Sequence, residues 1–303
     1  MGGRGISVIV ASLAVLVACV PSDGKRVPDN GSTIRVASFD FEESAVVAEI
    51  YVQALDGAGL NARHVPRVGA REIVLPALER GLIDVVPEYV GSALEFLGAR
   101  PAPDPQASVA RLRPLLNDRG IDVLSPSPAQ SRNGLVVEEA TATEHGLRTI
   151  SDLRAVASAF TLGGPPECPE RELCLPGLTR VYGLRFASFL PLDAGGPVTA
   201  EAVQRGTVDV GVLFTSDGSL ADHDLVLLAD DRHLQPAENL VPVVRQEALS
   251  RSGPALTKVL DGVSARLTTA DLRTLNSLVR SGVPADVVAA RWLAEQGIAG
   301  ERE

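Results

Sequence analysis

Arg80-Gly81-Leu82-Ile83-Asp84-Val85 runs on to Tyr89, and the same pattern returns as Arg205-Gly206-Thr207-Val208-Asp209-Val210 running on to Phe214. Each copy reads as the end of a helix, a glycine able to take the left-handed stop conformation, and a short apolar strand that delivers an aromatic ring. One copy alone need mean no more than a helix-to-strand turn. Two copies in register predict two α/β halves with one ring each. Open α/β sheets bind ligands beyond the carboxyl ends of their strands, so Tyr89 and Phe214 are expected to face each other as two jaws of a crevice.

The flanking chain extends the pattern. Residues 34–37 read as a strand that empties into Ser38-Phe39-Asp40-Phe41, and Val46, Val47, Ile50, Ala54 and Leu55 carry the 3.6-residue period of a helix over 42–55. Asp40 with Glu43 fits a capping box, which would leave the helix N terminus open to a carboxylate at the end of the strand. A second strand over 62–66 and a helix over 71–80 lead into the first copy of the motif. Pro87 predicts the end of regular ladder pairing there, with Tyr89 exposed at the sheet edge. Helices over 91–97 and 107–119 and a strand over 121–124 follow, and Ser125-Pro126-Ser127-Pro128 reads as a crossing between lobes.

The second half is expected to begin with a strand over 134–137, with Asn133 at the crossing. Ser151 is the expected cap of the next helix. Strands over 160–162, 186–190 and 208–214 alternate with helices over 178–182 and 200–205, and the run at 225–228 is a further apolar segment. Residues 240–244 cross back. Only helices remain, over 254–266, 270–279 behind a Thr269 cap, and 284–295, so the chain is expected to finish on the first lobe. Two crossings imply a hinge.

Composition narrows the function. With 303 residues and 45 % apolar content the chain can build two cores, and a formal charge of -10 argues against nucleic acid or an anionic lipid surface as the main partner. Arg4 followed by an apolar run over 6–18 reads as an export signal, too short to span a bilayer with ease. The run ends in Leu16-Val17-Ala18-Cys19, which resembles the bacterial lipobox and implies lipid on Cys19 as the anchor. Residues 1–18 are thus read as a signal peptide and 19–32 as a flexible tether. In an exported chain the remaining pair, Cys168 and Cys174, is most simply a disulfide. His64, His145, His223 and His233 are scattered without ligand spacing, so neither a metal nor another cofactor is expected.

Five stretches, 36–44 (VASFDFEES), 68–72 (VGARE), 84–91 (DVVPEYVG), 215–218 (TSDG) and 225–231 (LVLLADD), resemble the osmoprotectant-binding proteins of ABC importers. These receptors take glycine betaine, choline or proline betaine. The likeness spans about residues 33–295. It implies a two-lobed type II periplasmic-binding-protein fold, with lobe 1 at 33–130 plus 238–303 and lobe 2 at 131–237. It also implies a small-solute ligand, a permease with a cytoplasmic ATPase as partner, a monomer, and a place on the extracytoplasmic side of the cell membrane.

A quaternary ammonium has no donor to satisfy, and ring faces attract its charge by about 0.5 to 2 kcal/mol each. Tyr89 and Phe214 match two positions of such an aromatic box, whereas Asn133 and Ala237 stand where further rings are usual. Asp40, Ser44, Arg71, Thr215 and Asn239 complete the candidate ligand set. Half ring and half amide, this site would also suit a larger zwitterion or a phenolic, ergothioneine among them. A sensor lipoprotein of the same fold is a further reading. Ser216, Asp217 and His223 hold the elements of a hydrolase triad without its elbow motif, and Asp230, Asp231 and His233 read as a polar turn, so an enzyme is not expected.

Overall fold

The computed structural model describes residues 1–2, 33–193, 196–222 and 224–298. The signal-peptide, Cys19 and tether expectations lie outside the described residues. From Thr33 onward the chain forms two five-stranded mixed sheets. The first alternates β1 (Ile34–Phe39), α1 (Glu42–Gly57), β2 (Ala62–Gly69), α2 (Arg71–Glu79) and β3 (Val85–Tyr89), then α3 (Val90–Phe96), α4 (Pro105–Asn117) and β4 (Ile121–Val123). The second contains β5 (Asn133–Glu138), α5 (Glu139–His145), β6 (Thr161–Gly164), α6 (Leu175–Gly177), β7 (Ser188–Pro191), α7 (Pro197–Gln204), β8 (Val210–Phe214), α8 (Ser219–Asp222) and β9 (Leu225–Leu227). The chain then returns as β10 (Leu240–Arg245) and ends in α9 (Gln246–Ser252), α10 (Pro254–Ser264), α11 (Thr269–Arg280) and α12 (Ala285–Glu295). The sheet orders are β2-β1-β3-β10-β4 and β7-β6-β8-β5-β9.

The doubled motif shows why it is doubled. Gly81 and Gly206 take φ of +68° and +65°, ending α2 and α7 in the left-handed region. The Asp84 amide donates to Arg35 O at 2.8 Å, and the Asp84 carboxylate accepts from the Arg35 amide at 2.9 Å. Asp209 does the same to Thr161, whose amide donates to the carboxylate at 2.7 Å. Each aspartate therefore pins the start of its strand to the neighbouring parallel strand, giving Val36 opposite Val85 and Leu162 opposite Val210. Alternate residues go to opposite faces, so Val36, Val85 and Val244 join one core while Ala37, Val86 and Val243 join another. Both faces of the first sheet are covered, as its near-continuous apolar strands require. Helices α10, α11 and α12 add to the core around α1.

Several local expectations fail for identifiable reasons. Strand β3 is central, and Pro87 lies opposite Pro242 in an antiparallel ladder. The Pro242 carbonyl turns away to accept from Leu124 N at 3.0 Å, so the two prolines face each other as a non-hydrogen-bonded pair and neither removes a ladder bond. Helix α1 is capped at Phe41 without a side-chain bond, so the Asp40 capping box does not form. The second-lobe helix expected behind Ser151 is a 3-10 helix over Ile150–Ala155, capped by Thr149 with Asp152. Thr268, not Thr269, caps α11, where its hydroxyl accepts from Asp271 N at 3.1 Å.

Two crossing segments join the sheets and lie side by side. Gln130 bridges antiparallel to Asn239, and Ser131 N donates to Glu238 O at 3.1 Å. Helix α11 ties the lobes together a second time. Arg273 Nε donates to Thr215 O and Asn276 Nδ2 to Ser216 O, each at 2.8 Å. Gly218 makes this approach possible, since a Cβ there would sit 2.6 Å from Ser277 N.

Candidate functional site

Phe214 ends β8 directly opposite Asn133 at the start of β5, which puts ring and amide side by side at one end of the second sheet. The ring is 41 % exposed. Both side chains line a cavity of about 390 Å³ whose other walls include Glu95 on α3 and the loop carrying Glu167, Arg171 and Glu172. Cys168 and Cys174 are joined, with their Cα atoms 5.2 Å apart, and both also line the cavity. Glu172 pairs with Arg180. The walls thus offer one ring face, one amide, one guanidinium and the carboxylates of Glu95 and Glu167. An ammonium can rest on the ring or near a carboxylate, while a carboxylate can meet Arg171.

Tyr89 is not among the residues that line this cavity. It is 5 % exposed, packs against Phe41 with ring centroids 6.0 Å apart, and donates its hydroxyl to Glu43. Phe41, 42 % exposed, stacks on Phe39 at 5.9 Å, so it is the outward ring of the first lobe. The two rings expected as jaws therefore have different surroundings. Phe214 is presented to the cleft, and Tyr89 supports a buried carboxylate behind Phe41.

Glu43 joins three parts of the molecule. It takes the Tyr89 hydroxyl and accepts from Asn276 Nδ2 at 2.5 Å, while Asn276 also reaches Ser216 O on the second lobe. Burial pushes the Glu43 carboxyl above its ordinary range, against hydrogen bonds from Tyr89, Ser216 and Asn276 that pull it down. Glu238 sits on the return crossing and accepts from Ser92 N at 2.9 Å and from the Ser92 hydroxyl, filling the N terminus of α3. Burial raises its carboxyl to about 7.

The other expected ligand residues have partners within the protein. Asp40 is exposed and lies 3.5 Å from Arg67. Ser44 is fully buried, and its Oγ accepts from Phe39 N at 3.0 Å, closing the β1-to-α1 turn. Arg71 pairs with Glu88 at 2.7 Å and lies over the Phe39 ring at 5.1 Å. The Thr215 hydroxyl donates to Gln130 O at 3.2 Å, and Asn239 Nδ2 donates to Ser127 O at 2.8 Å, so both fasten the crossings. Ala237 is buried, with its amide donating to Ala102 O at 3.0 Å.

Two of the three triad elements have partners of their own. Ser216 is buried, 2.7 Å from the Ser131 hydroxyl, Asp217 lies 3.4 Å from Arg280, and His223 lies outside the described residues. Asp230 accepts from the Tyr182 hydroxyl and from the amides of Leu234 and Gln235, which makes that segment a hydrogen-bonded turn. Among the described residues no cluster of His, Cys, Asp and Glu could hold a metal, and no helix is long and apolar enough to cross a membrane.

Arg171 and Glu95 were not anticipated. The usable signal for Arg171 was its loop, which follows the carboxyl end of β6, the end at which α/β sheets bind ligands.

Comparison with known proteins agrees with this architecture. Residues 32–295 match the family model for the substrate binding domain of ABC-type glycine betaine transport systems. A glycine-betaine-binding protein of Pseudomonas aeruginosa is 29 % identical over 287 residues, covering 89 % of this chain and 91 % of its own. The glycine betaine-binding protein YehZ of Escherichia coli is 28 % identical over 279 residues, covering 88 % and 91 %. A solved glycine betaine/carnitine/choline ABC transporter structure superposes with a TM-score of 0.82 at 21 % identity, covering 88 % of this chain and 99 % of that one. The chain belongs to the family of substrate-binding domains of ABC-type glycine betaine transport systems.

Proposed function

We propose that this protein is a lipid-anchored, extracytoplasmic receptor that captures a glycine betaine- or choline-type solute between its lobes and passes it to a membrane permease. It catalyses no reaction. The observation that carries the reading is the cavity in which Phe214, Asn133 and Arg171 of one lobe meet Glu95 of the other. The Phe214 face takes the ammonium, Asn133 a polar edge, and Arg171 the carboxylate. Cys19 carries the lipid, and residues 19–32 tether a monomeric body split at 33–130 plus 238–303 and 131–237. Thermal midpoints measured with glycine betaine, choline, proline betaine, carnitine and amino acids test this. A saturable rise is expected with a quaternary ammonium compound, and no rise with any of them refutes it.

A second reading is favoured by the amide beside the ring. With Asn133 opposite Phe214 and Tyr89 not among the lining residues, the site also fits a larger betaine with a polar edge, such as ergothioneine. A larger midpoint shift with ergothioneine than with glycine betaine would select it.

A further inference from the structure

The Cys168–Cys174 bridge closes a ring with only five residues between its cysteines, so it removes little entropy from the unfolded chain compared with a long-loop crosslink. Its conspicuous effect is on the shape of one cavity wall. Both cysteines are buried, and between them the backbone folds on itself. Arg171 N donates to Glu167 O at 3.1 Å, Cys174 N to Arg171 O at 2.9 Å, and Leu175 N to Cys168 O at 3.2 Å. Gln235, just before the return crossing, braces the ring by donating to Leu173 O at 2.7 Å. Of the exposed charges on this compact ring, Arg171 and Glu172 line the cavity with Phe214 and Asn133, and Glu172 is paired with Arg180.

We infer that the disulfide is a positioning element for solute recognition, fixing Arg171 at the cavity wall so that its guanidinium meets the carboxylate of a betaine whose ammonium rests on Phe214. The inference depends on the receptor reading above. A fixed fork of donors recognises a carboxylate in one orientation, whereas an arginine on a loose loop spends binding energy on being ordered. Choline lacks the carboxylate and should not sense the difference.

The test measures affinity by calorimetry for choline and for glycine betaine or carnitine, whichever binds more tightly. It compares the wild type with C168S/C174S, R171A and their combination. We expect C168S/C174S to lose about tenfold or more for the betaine, equal to about 1.4 kcal/mol, with choline changed less than twofold. Adding R171A to the serine pair should then cost nothing further. Equal losses for both ligands, no loss, or additive losses overturn the positioning role. If the serine pair folds poorly, the same ratio is read on folded wild type before and after reduction by a water-soluble phosphine. There the S–S bond breaks, two thiols form and the phosphine becomes its oxide, taking its oxygen from water. A wild type that binds neither ligand class refutes the receptor reading itself, an outcome distinct from a binding wild type that is indifferent to the bridge.

Discussion

The two motif aspartates make the same backbone clamp in different electrostatic settings, and replacing each by asparagine separates the two contributions. Asp84 is fully buried and meets Arg35 Nε at 2.7 Å and Nη2 at 2.9 Å, with Arg245 at 3.4 Å and Arg251 at 3.8 Å. Burial alone would raise its carboxyl, but the hydrogen bonds and charge of Arg35 outweigh it and hold the group below the ordinary carboxylate range. Asp209 clamps uncharged Thr161. Removing one member of a buried pair costs about 3 to 5 kcal/mol. Arg35 keeps 19 % of its side chain in solvent and Arg245 also has Glu247, so D84N falls at the low end, about 3 kcal/mol. D209N keeps an oxygen for the Thr161 amide and costs about 1 kcal/mol or less. At about 2 to 4 °C per kcal/mol for a chain of this size, calorimetric Tm falls by about 6 to 12 °C for D84N and by about 4 °C or less for D209N. The sign with pH follows from the depressed carboxyl. Its stabilisation is complete above the unfolded value near 3.9 and is lost as pH falls through the folded value, so the gap between wild type and D84N closes in acid. Equal losses in the two variants, or a gap that persists in acid, would refute the charge-clamp account.

Glu238 has the opposite sign. Its carboxyl is raised to about 7, so the native state holds an extra proton between the unfolded value near 4.5 and 7 and loses stability as pH rises through that window. E238Q should flatten this slope by up to about 3 kcal/mol at 1.36 kcal/mol per pH unit, read from denaturation midpoints at stepped pH. G218A forces a Cβ to within 2.6 Å of Ser277 N on α11 and should cost about 1 to 3 kcal/mol by calorimetry, whereas an unchanged Tm would mean the loop can draw back freely. F214A should weaken quaternary ammonium binding by about 2- to 30-fold with little change in Tm. Y89F should do the reverse, leaving affinity nearly unchanged while losing about 1 to 2 kcal/mol of stability, because it strips a hydroxyl from the buried Glu43.

The division of sequence reading into success and failure has a physical basis. The alternation of apolar strands with helices survives as an order of elements because packing enforces which faces are buried, although in the second half Ile150–Ala155 is a 3-10 helix and Leu178–Tyr182 a π-helix. The doubled Arg-Gly-x-x-Asp pattern was legible for the same reason, since the glycine and the aspartate are fixed by local backbone geometry. Pairing across the sheet was not local. Nothing near Pro87 announces that Pro242 will stand opposite it, and so the central strand was read as an edge. The binding residues show the same limit. Ser44, Thr215 and Asn239 each bond a backbone group at the turn or the crossings, partners that no local pattern announces. Arg71 could have met a ligand carboxylate and instead meets Glu88. Arg171 stayed hidden because a charged residue in a Pro-rich loop looks like ordinary surface until the loop is seen to form a cavity wall.

The central claim is that the cavity bearing Phe214 is a solute site. Direct calorimetry is the right probe, because the single tryptophan, Trp292, is buried in the core around α1 and is not among the residues lining that cavity. Titrating glycine betaine, choline, carnitine and ergothioneine into the wild type and F214A should give one-to-one saturable heat with at least one quaternary ammonium compound, weakened in F214A. Absence of binding by all four, or binding that F214A leaves untouched, would contradict the account.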